Sequence, residues 1–100
     1  MNQEDHLPSA QATISADDDR VRVTTWTFQD GDETGDHRHE YDYVVVPVTG
    51  GTFAVVDTSG ATREMTQEAA VGYTGRQGTE HNVINRSGRV AIFVEIELKG

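Results

Sequence analysis

HRHEYDYVVVPVTGG, residues 37–51, decides how this chain is read. Two histidines stand two apart, and an aromatic, acidic and then valine-rich run follows them into a Thr49-Gly50-Gly51 turn. On a strand, residues i and i+2 project to the same face. His37 and His39 are therefore expected to point together, as are Tyr41 and Tyr43, with Glu40 and Asp42 on the opposite face. Two imidazoles side by side on a rigid strand suit one divalent cation, with metal–nitrogen distances of about 2.0–2.1 Å. Taken alone, the pair is equally the mark of two surface histidines. Pro47 has no N–H to give a ladder and belongs at an edge, a strand end or a bulge. Residues 37–48 are thus expected as one long strand or a strand with a bend.

The segments on either side have the same texture. VRVTTWTF (21–28) is rich in β-branched and aromatic residues, and QDGDETGD (29–36) holds two glycines among four acids, a loop composition. TFAVVD (52–57), a Thr58-Ser59-Gly60 turn and ATREMT (61–66) read as a hairpin. QEAA (67–70) is too short for a stable helix. VGYTG (71–75), HNVI (81–84) and RVAIFVEIEL (89–98) read as further strands, separated by RQGTE and NRSG turns. Seven to nine short strands without a useful helical period predict an all-β sandwich or barrel. In the last strand, Ile92, Val94, Ile96 and Leu98 alternate with Phe93, Glu95 and Glu97; the first set is expected to face the interior and the second a partly wet surface.

One hundred residues make one domain. Five of the seventeen acidic side chains (Glu4, Asp5, Asp17, Asp18, Asp19) and none of the eight basic ones lie in residues 1–19. That stretch is expected as a solvated acidic arm, leaving 20–100 as the folded domain. The net charge of −9 and the scattered Lys and Arg exclude nucleic acid as a partner, because phosphate binding needs clustered cations. No run of about 18 apolar residues is present to span a membrane, and MNQEDHLPSAQ has neither half of a secretory signal. Without cysteine there are no disulfides or thiolate ligands. The expected setting is the cytoplasm, and any metal must be held by His, Asp, Glu, Tyr or backbone groups.

Spacing then ties the histidine pair to a third histidine. Gly31, His37, His39 and Gly50 resemble the first motif of the cupin superfamily: G, five residues, HxH, three or four residues, E, six residues, G. Residues 76–85, RQGTEHNVIN, resemble the second motif, G, five residues, PxG, two residues, H, three residues, N, through Gly78, His81 and Asn85. The resemblance covers residues 21–98 and is nearest to small single-domain bacterial cupins, including those named for β-alanine degradation. It implies a jelly-roll barrel, the double-stranded β-helix, with His37, His39 and His81 as ligands of a divalent metal: Fe, Zn, Ni or Mn. Three positions depart from the pattern. The motif glutamate falls on Tyr43, the proline of PxG on Arg76, and the first glycine of the second motif on Ala70.

Tyr43 admits three readings. The metal has three neutral imidazoles and open positions, leaving more positive charge for an anionic substrate. Alternatively the phenol is a fourth ligand or a donor just outside the ligand set, its pKa drawn down from about 10 by the dication. Or it simply packs and no metal binds. Glu40 and Asp42 are reserve ligands only if a bulge re-aims the strand. Trp26, Phe28, Tyr41, Tyr73 and Phe93 are candidate pocket walls, and Arg76, near His81, is a candidate carboxylate clamp. Asn85 is expected to order a turn. The expected function is a metal-dependent step on a small, anionic metabolite, of dioxygenase, isomerase or lyase type. A non-catalytic module that binds or senses a small ligand, and a fold with a vestigial site, are the alternatives. Exposed edge strands and the long C-terminal strand predict a homodimer formed by sheet extension.

Overall fold

The computed structural model describes residues 9–100. Nine strands occupy them: β1 (Gln11–Asp17), β2 (Val21–Phe28), β3 (His37–Arg38), β4 (Asp42–Pro47), β5 (Gly51–Asp57), β6 (Thr62–Gln67), β7 (Tyr73–Gly75), β8 (Glu80–Asn85) and β9 (Ala91–Leu98). They form two antiparallel sheets, one in the order β1-β2-β9-β4-β7 and the other β3-β8-β5-β6. This is the all-β architecture expected from the strand pattern, in the double-stranded β-helix form that the family resemblance implies. Of residues 1–19, Gln11–Asp17 joins the first sheet as its edge strand, exposed along its length. Residues 1–8 of the expected acidic arm lie outside the described residues.

Residues 37–48, expected as one long strand or a strand with a bend, form two strands in two sheets. β3 pairs with β8, whereas β4 pairs with β7 and β9. Residues 39–41 carry the chain across. Period-two reasoning therefore fails at this crossing, with consequences for Tyr41 described below.

The two inner faces meet over Phe28, Phe53 and Phe93, whose ring centroids lie 5.3–5.9 Å apart in edge-to-face and tilted arrangements. Such pairs add about 0.5–1.5 kcal/mol each beyond the area they bury. Asn85 closes this end of the barrel. It is fully buried, and its side-chain amide donates to the carbonyls of Phe28, Gln29 and Arg89 while its oxygen accepts from the Ser87 N–H. The turn role expected of it is thus carried out from inside the core.

β9 lies the other way up from the expectation. Its inward row is Ala91, Phe93, Glu95 and Glu97, and Ile92, Val94, Ile96 and Leu98 face out. Along that inward row the barrel passes from dry core at Ala91 and Phe93 to a polar wall at Glu95 and Glu97. Alternation identifies two faces of a strand but not which one is inside. Here the less apolar face is inside because the barrel encloses a cavity at one end.

The departure at Ala70 has a backbone cost. Ala70 holds φ +68°, the conformation that the glycine of the motif would adopt freely, and its N–H donates to the Pro47 carbonyl. An L-residue held there costs on the order of 1 kcal/mol. Ala70→Gly is therefore expected to raise stability by roughly 0.5–1 kcal/mol, offset in part by the greater freedom of glycine in the unfolded chain. Urea unfolding of the two proteins checks this; a lowered midpoint would show that the turn carries no strain.

Candidate metal centre

The three histidines arrive from three different backbone settings. His37 and His81 are directly opposite on the antiparallel β3–β8 pair, so register alone puts their side chains together. His39 lies in the crossing between sheets, where no ladder holds it. Its N–H donates to the Thr79 carbonyl and its carbonyl accepts from the Gly78 N–H, both at 2.9 Å. These two bonds fix it against the turn that precedes His81. Gly78 itself turns with φ +89°.

Together the rings bring their Nε2 atoms to a common point. His39 Nε2 lies 3.0 Å from His37 Nε2 and 3.1 Å from His81 Nε2. These two separations suit nitrogens about 2.0–2.1 Å from one ion, at angles near a right angle, and the ligand atoms of all three residues lie within 4.8 Å of one another. The donor chemistry fits a cation as well. His37 Nδ1 lies 2.9 Å from the Gly35 carbonyl, which accepts only if Nδ1 carries the proton. His37 Nε2 then faces the Nε2 atom of His39, which in turn faces that of His81. Three imidazole nitrogens gathered in this way offer a ligand set for one cation.

Burial keeps the site in its neutral form. It pushes the His39 imidazole down to about 4, with His37 and His81 adding to the effect. His81 is likewise held at about 4 by burial, then by His37 and Arg63. Both rings are unprotonated at neutral pH, as metal ligation requires. Opposite them, Glu95 projects from β9. Burial, then the Glu97 carboxylate, raises its carboxyl to about 7, against hydrogen bonding from Trp26. Its Oε2 lies 3.8 Å from His39 Nδ1, an ion-pair rather than a hydrogen-bond distance. Burial and the other two imidazoles outweigh this carboxyl in setting the His39 pKa.

Tyr43 stacks on His39, with centroids 3.8 Å apart and planes within 16°. On its other side is Gly75, its cross-strand neighbour on β7. A Cβ at Gly75 would collide with the Tyr43 ring and hydroxyl, so the strand carries glycine where the phenol lies flat. Burial raises the Tyr43 pKa and Glu95 adds to that, with the Thr79 side chain acting in the opposite sense. In place of a glutamate side chain, this position holds an aromatic plate that fixes the plane of His39.

A cavity of about 470 Å³ opens over the histidines, within the range of small-molecule sites. Trp26, Tyr43, Tyr73 and Phe93 line it. Tyr41 and Arg76 do not: the chain turns between sheets at Tyr41, and Arg76 is exposed on the outside of its turn. Phe28 is wholly core. Glu40 is at the rim, while Asp42 is exposed and accepts from the Gln77 N–H, so neither joins the histidine cluster. Sequence reasoning missed Glu95, Glu97, Met65 and Arg63 as wall residues. For the two glutamates the signal existed, since alternate acids among Ile and Val on a terminal strand also mark a polar cavity wall.

No protein-family model matches the chain. The β-alanine degradation protein BauB of Pseudomonas aeruginosa is 46% identical over 92 residues, covering 92% of this chain and 96% of that protein. The crystal structure of a cupin domain from Bordetella pertussis matches with a TM-score of 0.90 at 45% identity, over 95% of this chain and 98% of that one. The polyketide cyclase RemF from Streptomyces resistomycificus shares the fold alone, with a TM-score of 0.68 at 19% identity over 94% of this chain and 70% of its own.

The shifted groups set a pH dependence. In metal-stripped protein, lowered His39 and His81 mean that the unfolded chain binds more protons between about pH 6.5 and 4, so stability falls with pH there. Raised Glu95 acts oppositely between about pH 7 and 4.5 and cancels one of the two. The net is about one proton, so stability is expected to be nearly flat from pH 7.5 to 6.5 and to drop by roughly 1–2 kcal/mol by pH 5. Urea midpoints at pH 7 and pH 5 test it; equal stability at both would contradict neutral buried imidazoles.

Proposed function

The chain belongs to the cupin superfamily, in the family that holds the β-alanine degradation protein BauB, and on that premise we propose that it is a metal-dependent enzyme acting on a small, anionic metabolite. The observation that carries this reading is the convergence of His37, His39 and His81 under a cavity sized for a small molecule. A bound divalent ion (Fe, Zn, Ni or Mn) supplies Lewis acidity toward a carbonyl or carboxylate oxygen and, as iron, redox chemistry. Three imidazoles bring no carboxylate into contact with the ion, since Tyr43 stands where the family motif has glutamate, and this favours an anionic ligand in the open positions. Arg63, on the cavity wall, adds a second cation for a carboxylate. Trp26, Val45, Phe93 and Met65 supply apolar walls that exclude water around the carbon skeleton.

Protein purified without a histidine tag is expected to retain close to one equivalent of metal, or to gain in melting temperature with Zn, Ni, Mn or Fe(II). Less than about 0.1 equivalent and no gain would sink the metal reading. The relative's name makes β-alanine and other short carboxylates the first compounds to screen. Turnover lost in a folded His81→Ala variant supports the enzyme; ligand binding without turnover in the wild type makes the chain a binding or sensing module.

A homodimer is part of the same proposal. β1 offers a free edge for sheet extension, whereas β9, in the middle of its sheet, has no edge to give. Its outward residues do offer a face. Ile92, Val94 and Ile96 lie beside Thr27, Thr25 and Val23 on one side, and Val94 and Ile96 beside Val46 and Val44 on the other. None of these side chains is charged, on a chain whose net charge of −9 repels its own copy elsewhere. A second copy is the occupant that such a neutral face fits. Light scattering at micromolar concentration is expected to give twice 11.0 kDa, and Ile96→Lys to return it to 11.0 kDa; a wild-type monomer refutes the dimer.

A further inference from the structure

The carboxylate that the first motif lacks has a counterpart on another strand. Two of the three imidazoles face an oxygen on the nitrogen away from the common point. For His37 it is the Gly35 carbonyl, at 2.9 Å from Nδ1. For His39 it is Glu95, with Oε2 3.8 Å from Nδ1. His39 is 6% exposed and the Glu95 side chain 12%, so water competes little for either. The plane of His39 is set independently by the Tyr43 stack, and its backbone by Gly78 and Thr79. The ring therefore has little freedom other than to present Nε2 inward and Nδ1 toward β9.

We propose that Glu95 is the positioning carboxylate of the metal centre, facing the Nδ1–H of His39 across 3.8 Å and closing to a hydrogen bond that keeps Nε2 as the ligating lone pair. This rests on the metal reading above. Glu95 touches the ion only through the imidazole: it orients the ring, increases the basicity of Nε2 and returns a negative charge to a site built from three neutral ligands. Register explains why Glu95 and not Glu97 has this place. Glu97, two residues on, is paired with Arg22 at 3.3 Å, so its charge is already balanced. Glu95 sits opposite Thr24 and Val45, with no Lys or Arg side chain in an ion pair with it among the described residues.

The glutamates also provide the control. Glu95→Gln and Glu97→Gln each remove one carboxylate from the same wall, but only Glu95 faces an imidazole. Zinc affinity measured by chelator competition at fixed pH is expected to fall about tenfold or more in Glu95→Gln and to stay within about twofold in Glu97→Gln. Equal losses in both would mean that cavity charge acts without the contact, and a Glu95→Gln within twofold of wild type would mean that the contact is idle; either overturns the proposal. If Glu95→Gln does not fold, the zinc-loaded wild type decides. Its His39 Nδ1 proton, read by NMR, is expected downfield of that of His37, because a carboxylate is a stronger acceptor than a carbonyl. A His39 proton at or upfield of the His37 position overturns the proposal. Wild type that binds no zinc defeats the metal reading itself, a result distinct from a bound site insensitive to Glu95.

Discussion

The site depends on one change of sheet. Between Arg38 and Asp42 the chain leaves the sheet that holds His81 and enters the sheet that holds Glu95. His39 lies at that crossing, with a ring that touches both. Its backbone is bonded to the turn before β8, its face lies on Tyr43 of β4, and its outer nitrogen faces β9. A regular strand would carry His39 along the sheet with His37. The crossing instead makes it the point at which both halves of the barrel must be in place for three nitrogens to converge.

Packing and charge then divide the barrel along its length. The phenylalanine cluster and Asn85 occupy one end, with every polar atom of the Asn85 amide bonded to backbone. The other end is half-buried and rich in groups that titrate. Burial acts on both kinds in opposite senses, keeping imidazoles uncharged and disfavouring the charged form of Glu95. A dication at the common point of the histidines would complement such a set.

Much of this was legible in residue type and spacing. VRVTTWTF and TFAVVD become strands because branched side chains suit a pleated surface, and the two spaced motifs bring His81 to His37 and His39. What escaped has physical causes. Tyr41 was placed by period two, which a crossing breaks. Arg76 is five residues from His81 in the chain, but its turn throws the side chain outward. The inner and outer faces of β9 were exchanged because Ile, Val and Leu outside look like a core when a sheet carries an apolar outer face. Glu95 followed from the same exchange: a glutamate read as solvent-facing is a cavity wall once the strand is turned over. Gly75 explains Tyr43 only in three dimensions, since the glycine that makes room for the ring lies on a strand thirty residues away.

β3 is two residues long, and two register pairs join it to β8. Segments held by so few bonds open at a free energy well below that of global unfolding. His37 rides on this short segment, whereas His81 sits on a six-residue strand and the phenylalanine cluster closes the far end. An ion held by both would meet one of its ligands on the most briefly laddered strand of the barrel, so its exchange would need only that strand to part and not the barrel to unfold.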